Sequence, residues 1–445
     1  VDISKPLQNL ITQAKSISKA GTTRYYHISA TLITPTQHIP VYLISEYTRT
    51  SMFASSRADD YRLKCQIQPG LYLKQVLPFS DNLKIEVIER EGLKQVAKTY
   101  RCIPLTNNDP EMSGNNTKVS NLENFDNLNI ITVNLQLQEL GFAILKNSFT
   151  SDSVFLLGRT DKALVHALIT DGSQVGLAGA DAWRGVDMPI EGDNTKVYKH
   201  IEIPDGTRLM DLPTYLQNDD KYGIYSAGLA CFYRKGMFYV FPPFLMGRYA
   251  TAAKVLDIFR FPEDAVPQLE TTWYTNEKTV TILSTGHSKH QSTVDINRQN
   301  NGVGKRIINP DAISGKAGMF YAKGKAITTR SDSLSEYQTA ERGSGEQISV
   351  YDRTPAENIY KGLSETAYND GELISVPWDQ SNSDLIYPGM PCKYYFTQAN
   401  SVLVEVEGIV LGVITQSLQN DQQPNSVFRE KATLFLFLVY EGLDT

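Results

Sequence analysis

Gln68-Pro69-Gly70-Leu71-Tyr72-Leu73-Lys74-Gln75-Val76-Leu77-Pro78-Phe79-Ser80-Asp81-Asn82-Leu83-Lys84-Ile85-Glu86-Val87 is the stretch on which the fold turns. A strand runs into it, the Pro69-Gly70 pair breaks that strand, and a second strand leaves after a Pro-Phe-Ser-Asp-Asn turn. Upstream, Tyr61, Leu63, Cys65 and Ile67 alternate with Arg62, Lys64 and Gln66. Downstream, Leu83, Ile85 and Val87 alternate with Lys84, Glu86 and Ile88. Alternation of period two gives each strand one buried and one wet face, as in an antiparallel barrel or sandwich.

Working outward, residues 27–33 and 39–45 read as a hairpin around Thr34-Pro35-Thr36, residues 94–105 as a further strand, and residues 106–127 as a long polar loop. Ile131, Val133, Leu135 and Leu137 restore a clear strand. Thr160 is placed to cap a short helix through Ala163, Leu164, Ala167 and Leu168, and residues 209–216 offer a second, limited by Pro213. Between them, residues 171–205 form a loop-rich acidic passage. A hairpin follows over 224–233 and 237–241 with its turn at Arg234-Lys235-Gly236, and residues 256–261 and 280–284 are strand candidates. In the last hundred residues, 394–396, 402–406, 409–414 and 432–439 read as strands, with Gly408 and Gly412 suited to bends. The run at 432–439 is apolar at nearly every position, so it must lie between sheets or in a subunit interface.

These elements predict a mainly β protein: several antiparallel β-barrel domains with short helices and α/β elaborations. Five segments follow: residues 1–20, an amphipathic arm; 21–150, a first β-barrel; 151–285, a mixed α+β part with second-barrel elements; 286–345, a basic Gly/Ser-rich insert; and 346–445, a C-terminal β-barrel. In the arm, Ser4 caps a helix over 4–19, Pro6 suits its first turn, and Leu7, Leu10, Ile11, Ala14 and Ile17 share one face. That face packs either on its own domain or on a neighbouring subunit.

At 445 residues the chain exceeds one ordinary core, while 41% hydrophobic and 21% charged residues describe a globular protein. No apolar run approaches the length needed to span a bilayer, and no signal peptide is expected. The four cysteines, Cys65, Cys102, Cys231 and Cys392, have no metal spacing and are expected reduced and buried. The net charge of −6 gives no overall pull towards nucleic acid, yet residues 286–330 carry eight basic residues against Asp295 and Asp311. Such a basic stretch is either solvated or ordered by an acidic partner, protein or DNA.

Catalytic signatures are poor. Gly302-Val303-Gly304-Lys305-Arg306 fails as a phosphate loop because Gln299 stands where Gly is needed and Arg306 where Ser or Thr is needed. His287 and His290 lack further ligands, so no metal or other cofactor is expected. Asp59-Asp60 and Asp219-Asp220 are adjacent pairs in turn-like sequence, unlike two carboxyls facing across a cleft. The chain is therefore expected not to be an enzyme.

The order of features resembles a specific family. A barrel with Pro69-Gly70 and Leu77-Pro78…Asp81-Asn82-Leu83 ends in Val133-Asn134-Leu135-Gln136-Leu137, helices follow near Asp161-Lys162-Ala163-Leu164 and 209–216, and then comes Tyr225…Tyr239-Val240-Phe241-Pro242-Pro243-Phe244. This resembles the baseplate hub and related virion structural proteins of contractile-tailed bacteriophages over residues 25–285. The resemblance implies a homotrimer, two barrels per subunit, whose six-barrel ring joins a sixfold tail tube to a threefold spike in a virion assembled in the bacterial cytoplasm. Tail tube, spike and other baseplate proteins are then the partners, with room for non-specific contact with passing DNA and no membrane role. The interface residues expected are Leu7, Leu10 and Ile11 on the arm, Lys305, Arg306, Lys323 and Lys325 in the insert, and Phe435 and Phe437 on the last strand. The alternatives are another virion β protein (tube terminator or wedge), or a carbohydrate-binding or carbohydrate-cleaving tail protein.

Overall fold

A computed structural model describes residues 12, 25–105, 130–151, 154–174, 176, 182–219, 221–261, 272–284, 288–292, 304–308, 319–321, 336–340, 347–349, 358–397, 403–419 and 427–439. The chain opens with strands β1 (Tyr25–Ile33), β2 (His38–Pro40), β3 (Leu43–Ser51), β4 (Asp60–Ile67), β5 (Lys84–Glu91), β6 (Lys94–Pro104) and β7 (Ile131–Glu139). The alternation around the opening stretch holds: Tyr61, Leu63, Cys65 and Ile67 on β4 are buried, as are Leu83, Ile85 and Val87 before and along β5. The two strands are not neighbours, however. β4 pairs with β3 and β7, and β5 with β1 and β6.

Their connection is also more than an open turn. Gly70 takes a positive φ of 78°, after which residues 72–76 form a π turn and 77–82 a kinked 3-10 turn with Pro78 at its start. Proline costs nothing there, since an N–H in a first turn has no intrahelical partner. The coil brings Val76 into the core of the first barrel, with Leu71 and Tyr72 packed at its margin. Apolar residues in a connection need such burial, which a solvated turn would deny them.

Next comes an α/β unit: α1 (Leu140–Leu145), β8 (Val154–Gly158), α2 (Thr160–Ser173), β9 (Gly185–Asp187), β10 (Tyr198–Glu202), α3 (Leu212–Asn218), β11 (Ala230–Arg234) and β12 (Met237–Phe241). Its core gathers Leu164 and Leu168 of α2, Leu212 and Leu216 of α3, and Phe238 and Val240 of β12. Thr160 does not cap α2 with its side chain. Its hydroxyl donates to the Gly223 carbonyl (2.6 Å), and Asp161 instead accepts the Lys162 and Gly192 N–H groups.

The remaining strands are β13 (Val255–Arg260), β14 (Trp273–Thr275), β15 (Thr279–Ser284), β16 (Lys289–Ser292), β17 (Gly304–Ile308), β18 (Met319–Tyr321), β19 (Glu336–Ala340) and β20 (Gln347–Ser349), then α4 (Ile359–Asn369), β21 (Glu372–Asp379), β22 (Pro391–Thr397), β23 (Leu403–Gln419) and β24 (Val427–Leu438). The segment expected to lack regular period therefore contains short antiparallel pairs, β17 with β19 and β18 with β20. Helix α4 and strand β21 have no counterpart in the sequence reading. The signal for α4 was Asn358, whose Oδ1 accepts the Tyr360 N–H and whose amide donates to the Gln217 and Asp219 carbonyls.

The architecture rests on β23 and β24. In one direction β24 reaches β1 and β23 reaches β3, closing an eight-stranded antiparallel barrel in the order β24-β1-β5-β6-β7-β4-β3-β23. In the other direction the same two strands form the middle of a second curled sheet, β14-β15-β13-β22-β23-β24-β21-β16. Its ends approach each other: Ser284 Oγ donates to the Pro377 carbonyl (2.7 Å), and Trp378 Nε1 donates to Thr272 Oγ1 (3.2 Å). Not all of this sheet is antiparallel, since β13 runs parallel to both β15 and β22. The two stretches read separately as 402–406 and 409–414 are one 17-residue strand.

That strand passes from the second sheet to the barrel at a bulge between Val410 and Gly412, where the Leu411 carbonyl accepts the Ala54 N–H. A bulge bends one strand and sharpens its twist, as passage between two curved sheets requires. Gly408 serves a different need. A Cβ there would lie 2.5 Å from the Phe437 carbonyl oxygen and against Leu438 Cδ2. Gly408→Val is therefore expected to lower the unfolding free energy by about 3 kcal/mol, measured by urea unfolding. A loss below about 0.5 kcal/mol would show that the paired backbones have room to part.

Candidate functional site

The most developed polar constellation lies where the barrel, the second sheet and the α/β unit meet. On β3 the inward positions are Tyr47, Arg49 and Ser51, so the period-two pattern of this strand carries a guanidinium into the interior. Asp59 precedes β4, Glu139 ends β7, Arg234 ends β11, Lys235 opens the turn to β12, Asp384 lies between β21 and β22, and Glu430 comes from β24. Residues more than 300 positions apart are thus brought together by the barrel closure.

Arg49 Nη1 reaches Asp384 Oδ1 at 2.8 Å, and Nη2 donates to Ser383 Oγ. Arg234 Nε lies 3.1 Å from Asp59 Oδ2, its Nη1 donates to the Ile386 carbonyl (2.9 Å), and its Nη2 is 3.5 Å from Asp384. Asp59 also accepts the Ser51 hydroxyl and, at 3.3 Å, the Tyr61 hydroxyl. Glu430 accepts Ser381 Oγ (2.9 Å) and the Ser383 N–H (2.7 Å), which fixes the loop bearing Asp384. Lys235 and Gly236 both have positive φ, the conformation of a tight hairpin turn, and the Lys235 N–H donates to Glu139 Oε2 at 2.8 Å.

Burial works against ionisation of Asp384, but Arg49, Lys98, Lys235 and Arg234 overrule it and hold the carboxyl well below the usual range. Burial likewise pulls the Lys235 ammonium down. Glu139 goes the other way. Burial first, and the Asp59 charge second, push its carboxyl up to about 7. Two carboxylates with divergent environments are how an acid–base pair looks. Here both carboxylates are engaged by the chain itself, Asp384 by Arg49 Nη1 and Glu139 by the Lys235 N–H, and Asp59 beside them is enclosed by Ser51, Tyr61 and Arg234. The arrangement fixes the relative orientation of three parts of one chain.

Glu139 supplies a pH test. Its carboxyl rises from an ordinary 4.5 to about 7 on folding, so the fold favours the protonated form. The associated stability is complete below about pH 4.5 and is lost as pH rises through 7. Glu139→Gln keeps an acceptor for the Lys235 N–H. It is expected to be about 2 kcal/mol more stable than the parent at pH 8 and nearly equal to it at pH 4, by chemical unfolding at the two pH values. Equal stability at pH 8 would mean that Glu139 ionises freely in the fold.

The residues expected at interfaces are not gathered at this junction. Leu7, Leu10, Ile11, Lys323 and Lys325 lie outside the described residues. Lys305 and Arg306 sit on β17, paired in register with Thr339 and Gln338. Phe435 is half-buried, and Phe437 is wholly buried by this chain, its ring 4.9 Å from that of Phe244 and 6.4 Å from that of Tyr368. All four cysteines are free and buried, and burial pushes Cys65 and Cys231 up to about 12. His287 lies outside the described residues, and among those described no three His, Cys, Asp or Glu side chains converge on a metal position. Of the junction, the sequence points to Asp59 as half of a turn-like pair and to Arg234 and Lys235 as part of a hairpin turn, none of them as a site. The available signal was Arg49, a charge in register with Tyr47 and Ser51 on an inward face.

No family profile and no curated protein sequence matches the chain. Among solved structures it is similar to the 43 kDa tail protein of prophage MuSo2 from Shewanella oneidensis, with a TM-score of 0.45 and 9% identity over 92% of this chain and 96% of that one. It is also similar to a tail protein from Neisseria meningitidis, with a TM-score of 0.43 and 10% identity over 94% and 97% of the two chains. A third similarity is to an Escherichia coli component of the type VI secretion system, itself described as structurally similar to T4 bacteriophage tail proteins. There the TM-score is 0.39 and the identity 8%, over 92% of this chain and 77% of that one.

Proposed function

We propose that this chain is a structural component of a bacteriophage tail, the central hub of the baseplate, working as a homotrimeric ring between tail tube and spike. The observation that carries this reading is the closed barrel and the second curled sheet built on the same two strands. Because β23 and β24 run through both, each subunit carries two curled β bodies joined by continuous strands, and three such subunits would place six around one axis. The junction of Arg49, Asp59, Arg234 and Asp384 supports the same role, since a ring that transmits load needs fixed angles between its parts. Partners are then tube and spike proteins at the two ends of the ring, with the basic 286–330 stretch available to acidic neighbours or passing DNA.

Negative-stain electron microscopy of the purified chain, with its mass in solution, tests the proposal. Threefold or pseudo-sixfold rings with a central opening are expected. A persistent monomer at micromolar concentration, without ring averages, would overturn the homotrimer.

A further inference from the structure

We propose that Asp187 and Arg248 form the polar half of a saccharide-binding site, in which a neutral pyranose lies against Tyr239 and Tyr387. Asp187 ends β9 and is the register partner of Tyr239 on β12. Arg248 follows β12 in a loop turned by Gly247, whose φ is 75°. Asp187, Tyr239, Arg248 and Tyr387 are all half-buried, so each keeps part of its surface in contact with solvent.

The surroundings of the pair are anchored. The Tyr239 and Tyr387 rings pack at the margin of the second-sheet core. The Tyr387 hydroxyl donates to the Lys254 carbonyl (2.6 Å), and that of Tyr225 to the Ile190 carbonyl. The Arg248 carbonyl accepts the Ala252 N–H (3.1 Å) and the Thr251 hydroxyl (3.2 Å), and the Tyr249 hydroxyl bonds to Asp257. The two charged side chains, by contrast, have no hydrogen bond or ion pair among the described residues, and Arg248 Nη1 is enclosed without an acceptor. They nevertheless feel each other. Burial raises the Asp187 carboxyl and Arg248 opposes it; burial lowers the Arg248 guanidinium, and Tyr387, Tyr225 and Asp187 oppose that.

An enclosed guanidinium nitrogen without an acceptor is costly, and a rigid backbone that holds it there is preorganised for an incoming oxygen. One positive and one negative group select a neutral ligand, since an anion meets Asp187 and a cation meets Arg248. That ligand must accept and donate at once. Adjacent sugar hydroxyls do both: one oxygen accepts from Nη1 while its neighbour donates to the Asp187 carboxylate. The tyrosine rings supply the apolar wall for the C–H face of the sugar, and aromatic walls with a few convergent polar groups are the usual make-up of a small-ligand site.

Saturation-transfer NMR of the full chain with the methyl glycosides of glucose, galactose, mannose and N-acetylglucosamine tests the site. At least one is expected to receive saturation, and Arg248→Met to weaken its binding about tenfold or more, because a hydrogen bond to a charged group is lost. Arg248→Met puts a hydrocarbon chain where an unpartnered guanidinium stood, so its Tm is expected to match or exceed the parent's. Asp187→Ala should lose the signal as well. No transfer from any of the glycosides would leave water as the occupant and overturn the proposal. Transfer unchanged in both variants would overturn it too, as would a marked fall in Tm for Arg248→Met, which would show the guanidinium already partnered within the fold. The site lies within one subunit: rings without sugar binding sustain the hub reading alone, and monomers that bind sugar sustain this site alone.

Discussion

Asp384→Asn is expected to lower the unfolding free energy by about 3 kcal/mol at neutral pH. The substitution keeps shape and an acceptor but removes the charge on which Arg49, Arg234 and Lys235 converge at 2.8, 3.5 and 3.8 Å. Removing one member of a buried pair is costlier than removing the pair, because the remaining guanidinium stays out of water without compensation. Arg49 is the group left exposed to that cost, with its side chain only 9% accessible, whereas Arg234 retains Asp59. Asp384 itself keeps 34% accessibility, so water recovers some of the loss and the lower end of the usual 3–5 kcal/mol is the better expectation. Replacing both partners, Arg49→Met with Asp384→Leu, should recover more than half of it, and the double-mutant cycle reads the coupling directly. The carboxyl is held below its free value of 3.8, so its contribution is complete above that pH and falls away as pH drops below it. A loss under 1 kcal/mol for Asp384→Asn, with unchanged pH dependence, would show that the junction is solvated and does not weld the barrels.

Much of the fold was legible because period-two alternation is a local signal. Tyr61 to Ile67, Leu83 to Val87 and Ile131 to Leu137 each announce a half-buried strand within seven residues or fewer, and each holds in the structure. Pairing is a different matter. Nothing near Val427 or Ser417 says that these residues close a barrel begun by β1 and β3, because their partners His27 and Tyr47 lie hundreds of positions away and hydrogen-bond through backbone. The same gap hid the junction. Arg49, Asp59, Arg234 and Asp384 are unremarkable in their own neighbourhoods, and only barrel closure makes them one network. Where side chains do local work, the sequence was readable in principle: Asn358 caps α4, and Arg49 breaks an apolar face. Gly408 and Gly412 both read as bends, but only Gly412 lies at the irregularity, while a close backbone or side-chain approach excludes a Cβ at both.

Trp378→Ala is expected to cost about 4 kcal/mol and to loosen the second barrel before the first. Trp378 lies on β21, fully buried among the side chains that fill the second sheet, and is one of the largest wholly enclosed residues of the chain. Truncation removes the apolar burial of the indole and leaves a cavity that paired backbones on β21 and β24 close only in part. A second loss adds to this. The indole N–H donates to Thr272 Oγ1, whose hydroxyl in turn reaches the Asp379 carbonyl, and this relay ties the strand β14 end of the sheet to β21 where no ladder joins them. Trp378→Phe separates the two effects: it keeps most of the volume, loses the N–H, and should cost about 1–1.5 kcal/mol. Hydrogen exchange resolves where the loosening falls. Amides of β13, β15 and β21 should exchange faster in Trp378→Ala, while β4, β5 and β6 of the first barrel keep their protection, because the cores of the two barrels are separate clusters. If both barrels lose protection together, the shared strands β23 and β24 transmit the defect, and the two barrels unfold as one cooperative body.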